Sequence, residues 1–302
     1  NIVDTPGHID FSAEVDRALS VLDLVILVIS GMEGVQAHTL NLWESIQERQ
    51  LPVLFFINKI DRAGADLEQV FNDLEKDLGA KLFALNYGDI NEPEAPAVIE
   101  FTKLQPYLTS PILEKSFENL AELDMPFLED YLQGSIGDLS LVLEKAKVQI
   151  QAQKMVGLLF GSAKMDLGIE ALLNQLTTLF TTKIIPSADP SAKVFKVEYD
   201  AKLGRLAYVK LYGGQLKNKD TIWSHQLEKE IKINQIFQGN LGKLEQVEVL
   251  AAGEIGVMTT SDLVLAGDVL GKEKLEDDFN KIGQAVLSVQ AVAVAEKDYQ
   301  KL

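Results

Sequence analysis

Three short, continuously apolar runs constrain this 302-residue chain more than any other feature: residues 24–30, 53–58 and 155–161. Runs of this length without polar alternation suit strands buried on both faces. Stripes at helical spacing surround them. Phe11, Val15, Ala18, Leu19 and Leu22 share one face, Leu67, Val70, Phe71, Leu74 and Leu78 a second, and Ile169, Leu172, Leu173, Leu176, Leu179 and Phe180 a third. Alternating strands and helices predict a parallel sheet covered by helices. Asn1-Ile2-Val3 reads as the middle of one more strand.

The rhythm breaks at residues 79–110, where Pro93, Pro96 and Pro106 interrupt any period. This stretch opens an insertion, about 79–153, whose later part predicts helices over 113–133 and 138–153 around the turn Gly134-Ser135-Ile136-Gly137. The segment Ile185-Pro186-Ser187-Ala188-Asp189-Pro190 has linker composition. Beyond it, over residues 193–272, short β-patterned runs recur between turns, which predicts a β-barrel. Residues 284–296 alternate like a strand of a further domain. The expected partition is therefore 1–186, 187–273 and 274–302.

The chain contains no cysteine, so disulfides and thiolate metal sites are excluded. No apolar run near the start is long enough to cross a bilayer, and a cytoplasmic protein without membrane contact is expected. Net charge is −17. Residues 1–189 hold 13 Lys/Arg against 29 Asp/Glu, whereas 190–260 hold ten against eight. Phosphate contacts need cations, so the middle segment is the better candidate to touch RNA.

Chemistry-bearing residues stand just after apolar runs. Asp4-Thr5-Pro6-Gly7-His8 precedes a helical stripe. Ligands of open α/β sheets bind at the carboxyl ends of strands. There Asp4 can hold Mg²⁺ through water when a nucleotide's phosphates complete the shell. Gly7, lacking a Cβ, can bring its N–H close to a γ-phosphate, and His8 can orient an attacking water. Asn58-Lys59-Ile60-Asp61 follows the second run. An Asp accepting from guanine N1–H and its exocyclic amine discriminates against adenine, which would leave the carboxylate unpaired. Asn58 can bond the other polar edge of the base, and the Lys59 stem can cover the ring. Gly161-Ser162-Ala163-Lys164 follows the third run, where a backbone N–H can meet the guanine carbonyl and Ser162 can brace the loop. Any one of these segments alone is compatible with an ordinary polar turn; the three in one order are not readily explained that way. His38 and His225 lack metal-ligand companions, Trp43 and Trp223 read as packing residues, and Glu75, Lys76 and Asp77 as a solvated helix face.

The set resembles the G3, G4 and G5 motifs of the GTPase superfamily, and Asp-Thr-Pro-Gly-His is its translation-factor form. Ser30-Gly31-Met32-Glu33-Gly34-Val35-Gln36 and Phe55-Phe56-Ile57 leading into Asn58-Lys59-Ile60-Asp61-Arg62 resemble the elongation factor G group. So does Arg205-Leu206-Ala207-Tyr208-Val209-Lys210-Leu211-Tyr212-Gly213-Gly214 in the second domain. Residues 55–61, 127–134 and 193–199 lean towards the tetracycline-resistance ribosomal protection proteins. The resemblance implies a partial P-loop-type parallel-sheet domain, a translation-factor β-barrel and the start of an α+β domain. It implies a protein that binds GTP, GDP and Mg²⁺, hydrolyses GTP on the ribosome and dislodges tetracycline. Elongation factor G-like translocation or peptide release, and a non-catalytic ribosome- or RNA-binding module, are the alternatives.

A P-loop needs Gly, four residues, then Gly-Lys-Ser/Thr, so that backbone N–H groups and a lysine cradle phosphate. The only Lys followed by Ser or Thr is Lys115, and Glu114 precedes it. By the resemblance, the P-loop and switch I belong before Asn1. The chain is thus expected to be a truncated piece, with no nucleotide bound by itself, little or no GTPase activity, and a tendency to self-associate through an uncovered sheet edge.

Overall fold

The structure is a computed structural model and describes residues 1–5, 12–92, 95–180, 187–240 and 243–272. The chain folds as two compact units. One comprises Asp23–Thr181, the other Asn1–Leu22 with Thr182–Leu302.

The first unit is built on four parallel strands. In chain order these are β1 (Val25–Ser30), β2 (Val53–Asn58), β3 (Leu82–Ala84) and β6 (Val156–Phe160), and in space the order is β1-β2-β6-β3. The two inner strands carry the core: Leu54, Phe55, Ile57, Leu158, Leu159 and Phe160 have no exposed surface. Each such side chain contributes about 1.5–3 kcal/mol relative to exposure. At the β1 edge the burial is one-sided, and Val28 keeps 58% of its surface exposed.

Helices α2 (Ala37–Glu48), α3 (Leu67–Leu78) and α7 (Ile169–Leu179) belong to this unit. The Asp66 side chain caps α3 by accepting from Gln69 N–H at 2.9 Å, and Gly79 closes it in the left-handed conformation at φ 62°. Leu67, Val70, Phe71, Leu74 and Leu78 are the buried stripe the sequence predicts. Trp43 on α2 packs edge-on against Phe55 at 5.5 Å and donates to Leu78 O at 2.9 Å, a packing residue as expected.

The insertion departs from expectation in three places. Its opening is part of the main sheet, because β3 pairs with β6. It then turns into a small hairpin, β4 (Asn86–Asp89) with β5 (Ala97–Glu100). The single helix expected over 113–133 is two, α4 (Pro111–Ala121) and α5 (Met125–Leu132), followed by α6 (Leu139–Gln151). Asp124 forces the break: its carboxylate accepts from Phe127 N–H at 2.8 Å as a new N-cap, and Pro126 follows in the first turn. Glu75 is no merely solvated residue either, since it accepts from the Asn119 amide and is half-buried.

The second unit is an antiparallel barrel. Strands β7 (Ser191–Asp200), β8 (Gly204–Gly213), β10 (Thr221–Ser224), β11 (Lys229–Asn240), β14 (Ile255–Thr260) and β15 (Val269–Gly271) form a ring in the order β10-β15-β7-β8-β14-β11, closed by a β10–β11 pairing. Strand β12 (Lys243–Val247) extends β11, and β9 (Gln215–Lys217) pairs with β13 (Val249–Ala251) apart from the ring. Alternate residues point inward, as a pleated strand requires: Ala192 and Val194; Ala207, Val209 and Leu211; Ile231 and Ile233. Closure removes the open edges such short strands would otherwise expose.

Helix α1 (Ser12–Leu19) groups with the barrel unit. Residues 1–5 form no strand, contrary to expectation, and Ile2 is 88% exposed. A strand exists only where a neighbour takes up its backbone groups, and residues 1–5 are in no ladder. The expected strand at 284–296 lies outside the described residues.

Candidate guanine-reading site

Strands β2 and β6 lie side by side with Ile57 opposite Phe160, so the loops that follow them leave the sheet together. Their backbones are joined at once. Gly161 N–H donates to Ile57 O at 2.9 Å, and Ile60 N–H donates to Gly161 O at 3.3 Å. Two side chains complete the junction. Asn58 Oδ1 accepts from Lys59 N–H at 2.8 Å and from Ala163 N–H at 2.9 Å. Ser162 Oγ donates to Asp61 Oδ1 at 2.6 Å and accepts from Met165 N–H at 3.3 Å.

The local sequence dictates this shape. A Cβ at Gly161 would lie 2.5 Å from both Leu167 O and Phe56 Cζ, so only glycine lets the β6 chain pass. Lys59 takes the left-handed conformation at φ 65°, which costs a non-glycine residue about 1 kcal/mol. That turn leaves Lys59 exposed while Ile60 is anchored in the core. Ser162 is fully buried, with its backbone paired to Leu167 in both directions at 3.0 Å.

The electrostatics favour a charged Asp61. The Ser162 hydroxyl holds its carboxyl below the usual value of 3.8, against partial desolvation, with help from the Arg62 and Lys164 charges. The result is an ionised acceptor fixed at the mouth of two loops. Such a group can take a pair of N–H donors from a planar ligand edge.

Six of the sequence-derived site residues, Asn58, Lys59, Asp61, Gly161, Ser162 and Ala163, are thus brought together. Asp4 belongs to the other compact unit, where it is exposed beside a hollow lined by Thr5, Glu14, Arg17, Lys196 and Glu198. Lys196 Nζ there bridges Glu14 at 3.0 Å and Glu198 at 2.6 Å. Gly7 and His8 lie outside the described residues. Among the described residues, no cluster of three or more His, Asp or Glu is poised to hold a metal. Sequence reading missed Asn86, whose side chain reaches the strand end just before Gly161. No local pattern marks it, because its partner is 74 residues away.

A parallel sheet with two polar loops meeting at its carboxyl edge, followed by a closed β-barrel, defines a class as well as a fold. Residues 1–182 match the elongation factor Tu GTP binding domain, and residues 189–273 match elongation factor G domain 2. The chain belongs to the translation-factor GTPase family. Within that family it is similar to the tetracycline resistance protein TetP of Clostridium perfringens, with 34% identity over 90% of this chain and 41% of that protein. It is similar also to the tetracycline resistance protein TetM from transposon Tn916 of Enterococcus faecalis, at 35% over 93% of this chain and 42% of the relative. A crystal structure of a Thermus thermophilus protein shares the fold at a TM-score of 0.72, with 23% identity over 90% of this chain and 44% of that one. The chain therefore spans less than half the length of the relatives it matches.

Proposed function

We propose that this chain is the guanine-reading part of a ribosome-acting GTPase that protects the ribosome from tetracycline. The observation that carries the reading is the paired loop: Asp61, held ionised by buried Ser162, beside Asn58 tied to Ala163. Asp61 accepts from guanine N1–H and the exocyclic amine. Lys59 covers the base. The guanine carbonyl competes with Asn58 Oδ1 for the Ala163 N–H, which releases Asn58 towards the other polar edge. Gly161 keeps the loop clear of Cβ atoms. In the whole protein, Asp4 would be the residue to hold Mg²⁺, which would supply charge to the phosphates, Gly7 would leave room for the γ-phosphate and His8 would orient the attacking water.

The ribosome is the partner this reading requires, and the cytoplasm its place. Among the described residues no helix is long and apolar enough to cross a membrane. The tetracycline assignment rests on the names of the similar proteins. Release of ribosome-bound tetracycline by the whole protein tests it. Absence of release, with GTP hydrolysis retained, favours an elongation factor G-like role. A non-catalytic binding module is the remaining reading, which GTP hydrolysis by the whole protein would exclude.

The base-reading role has a direct test. Asp61→Asn in the whole protein exchanges a two-fold acceptor for an amide, which suits xanthine's carbonyl in place of guanine's amine. Competition binding should show preference moving from guanine to xanthine nucleotides by about one to two orders of magnitude, the cost of one mismatched buried hydrogen bond. An unchanged preference for GTP refutes the assignment.

A further inference from the structure

The strand that delivers Gly161, Ser162 and Ala163 is finished by a side chain. Along β6, backbone pairing to the β3 side runs through Val156 N–H to Lys81 O and Leu85 N–H to Leu158 O, both at 2.8 Å. The chain then turns away into the β4–β5 hairpin. Phe160 would be left with an unpaired N–H and C=O on that side, at a position with no exposed surface. The Asn86 carboxamide fills the gap. Its Oδ1 accepts from Phe160 N–H at 2.8 Å, and its Nδ2 donates to Phe160 O at 3.0 Å. A carboxamide carries the same donor and acceptor as a peptide group, so this side chain substitutes for one residue of a missing strand. Asn86 is 1% exposed, so water does not offer an easy replacement. Gly88 lets the hairpin come this close, since a Cβ there would lie 3.0 Å from Phe160 Cβ and 2.7 Å from Leu67 Cδ1.

We infer that Asn86 is a positioning residue for the guanine-reading loop, and that the insertion's hairpin thereby sets the geometry of the base site. The inference rests on the reading of residues 161–163 proposed above. Phe160 is the last fixed point before Gly161. Freed on one side, it lets the strand end drift, and the Asn58–Ala163 and Asp61–Ser162 bonds lose their common frame. Among the described residues, the other buried amide side chain lacks this role. Asn119, 4% exposed, donates to Leu82 O at 2.9 Å at the opposite end of β3.

The test compares Asn86→Ala, Asn86→Asp and Asn119→Ala in the 302-residue chain by amide-resolved NMR. Aspartate at position 86 keeps the acceptor for Phe160 N–H but loses the donor to Phe160 O. In the absence of ligand, hydrogen exchange at Ala163 should quicken about tenfold in both Asn86 variants, as expected for one buried group left unsatisfied. In Asn119→Ala it should stay at the wild-type rate, whatever the global loss of stability. Equal exchange at Ala163 in the wild type and both Asn86 variants overturns the inference, as does an equal effect of Asn119→Ala. A second arm adds guanosine diphosphate to the whole protein and its Asn86 variants, with adenosine diphosphate as comparator. Guanine-specific shifts at Ser162 and Ala163 that weaken about tenfold in the Asn86 variants support the positioning role. No guanine-specific shift in the wild type defeats the base-reading proposal, and the exchange arm still decides on Asn86.

Discussion

At the scale of single residues, the site depends on side chains that spend one polar atom on structure and keep another for a ligand. Asp61 is the clearest case, its Oδ1 accepting from the Ser162 hydroxyl at 2.6 Å. Buried and paired, Ser162 lowers the Asp61 carboxyl below 3.8, chiefly through its hydroxyl. A carboxylate whose folded value is depressed adds stability above its unfolded value, and that stability is lost as pH falls through the folded one. Ser162→Ala removes the first cause of the shift. The Asp61 carboxyl should then titrate upward, towards 3.8, as followed by its side-chain ¹³C shift. The part of the stability difference that comes from Asp61 should be present at neutral pH and vanish in acid, where both proteins carry a protonated Asp61, while the part that comes from the lost Met165 bond should remain. An unmoved titration would mean that the Asp61 backbone N–H, with the Arg62 and Lys164 charges, holds the carboxylate without Ser162.

At the scale of elements, the strands and helices with strong periodicity were legible and the short pieces were not. The runs that became β2 and β6 and the stripe of α3 are buried as their patterns predict, β1 is buried on one face only, and of the α7 stripe Leu172 and Leu179 are buried while Leu173 is 50% exposed. Strand β3 escaped notice because three residues are too few to show a period, and only its pairing with β6 defines it. The division between α4 and α5 is written in one cap, Asp124, which reads as one more acid in a helical stretch until the Phe127 bond is seen. Asp124 also holds Lys145 at 2.7 Å, linking α5 to α6. Asp124→Ala should cost about 1–2 kcal/mol. The loss should appear as faster hydrogen exchange in α4 to α6, with α3 unchanged. The loop contacts of the site were legible in type but not in partner. The residues Asn58, Asp61 and Ser162 announce polar chemistry, whereas the 101 residues separating Asp61 from Ser162 hide that they touch.

At the scale of the molecule, two compact units divide the chain, and only one holds the paired loops. Within that unit the β1 side of the sheet is unusual for an α/β fold. Ile26 and Val28 stand 36% and 58% exposed on a strand that pairs on one side only among the described residues. A parallel sheet is normally covered on both faces, and an uncovered apolar edge attracts company. We expect the 302-residue chain to associate as its concentration rises, and Val28→Lys to shift it towards monomer. Sedimentation velocity showing a clean monomer at every concentration would remove the expectation.

Because β2 and β6 are neighbours, the two loops proposed to read the base meet without regard to the chain that runs between them. The ends of that intervening stretch are clamped by the sheet. Lengthening it would add a loop-closure cost that grows only with the logarithm of its length. The exposed turn between α5 and α6, residues 133–138, is thereby a place where the chain could grow without moving the two loops, whereas β5 and α4 on either side are tied to the sheet through the pairing of β5 with β4 and through Ser116, Phe117 and Asn119.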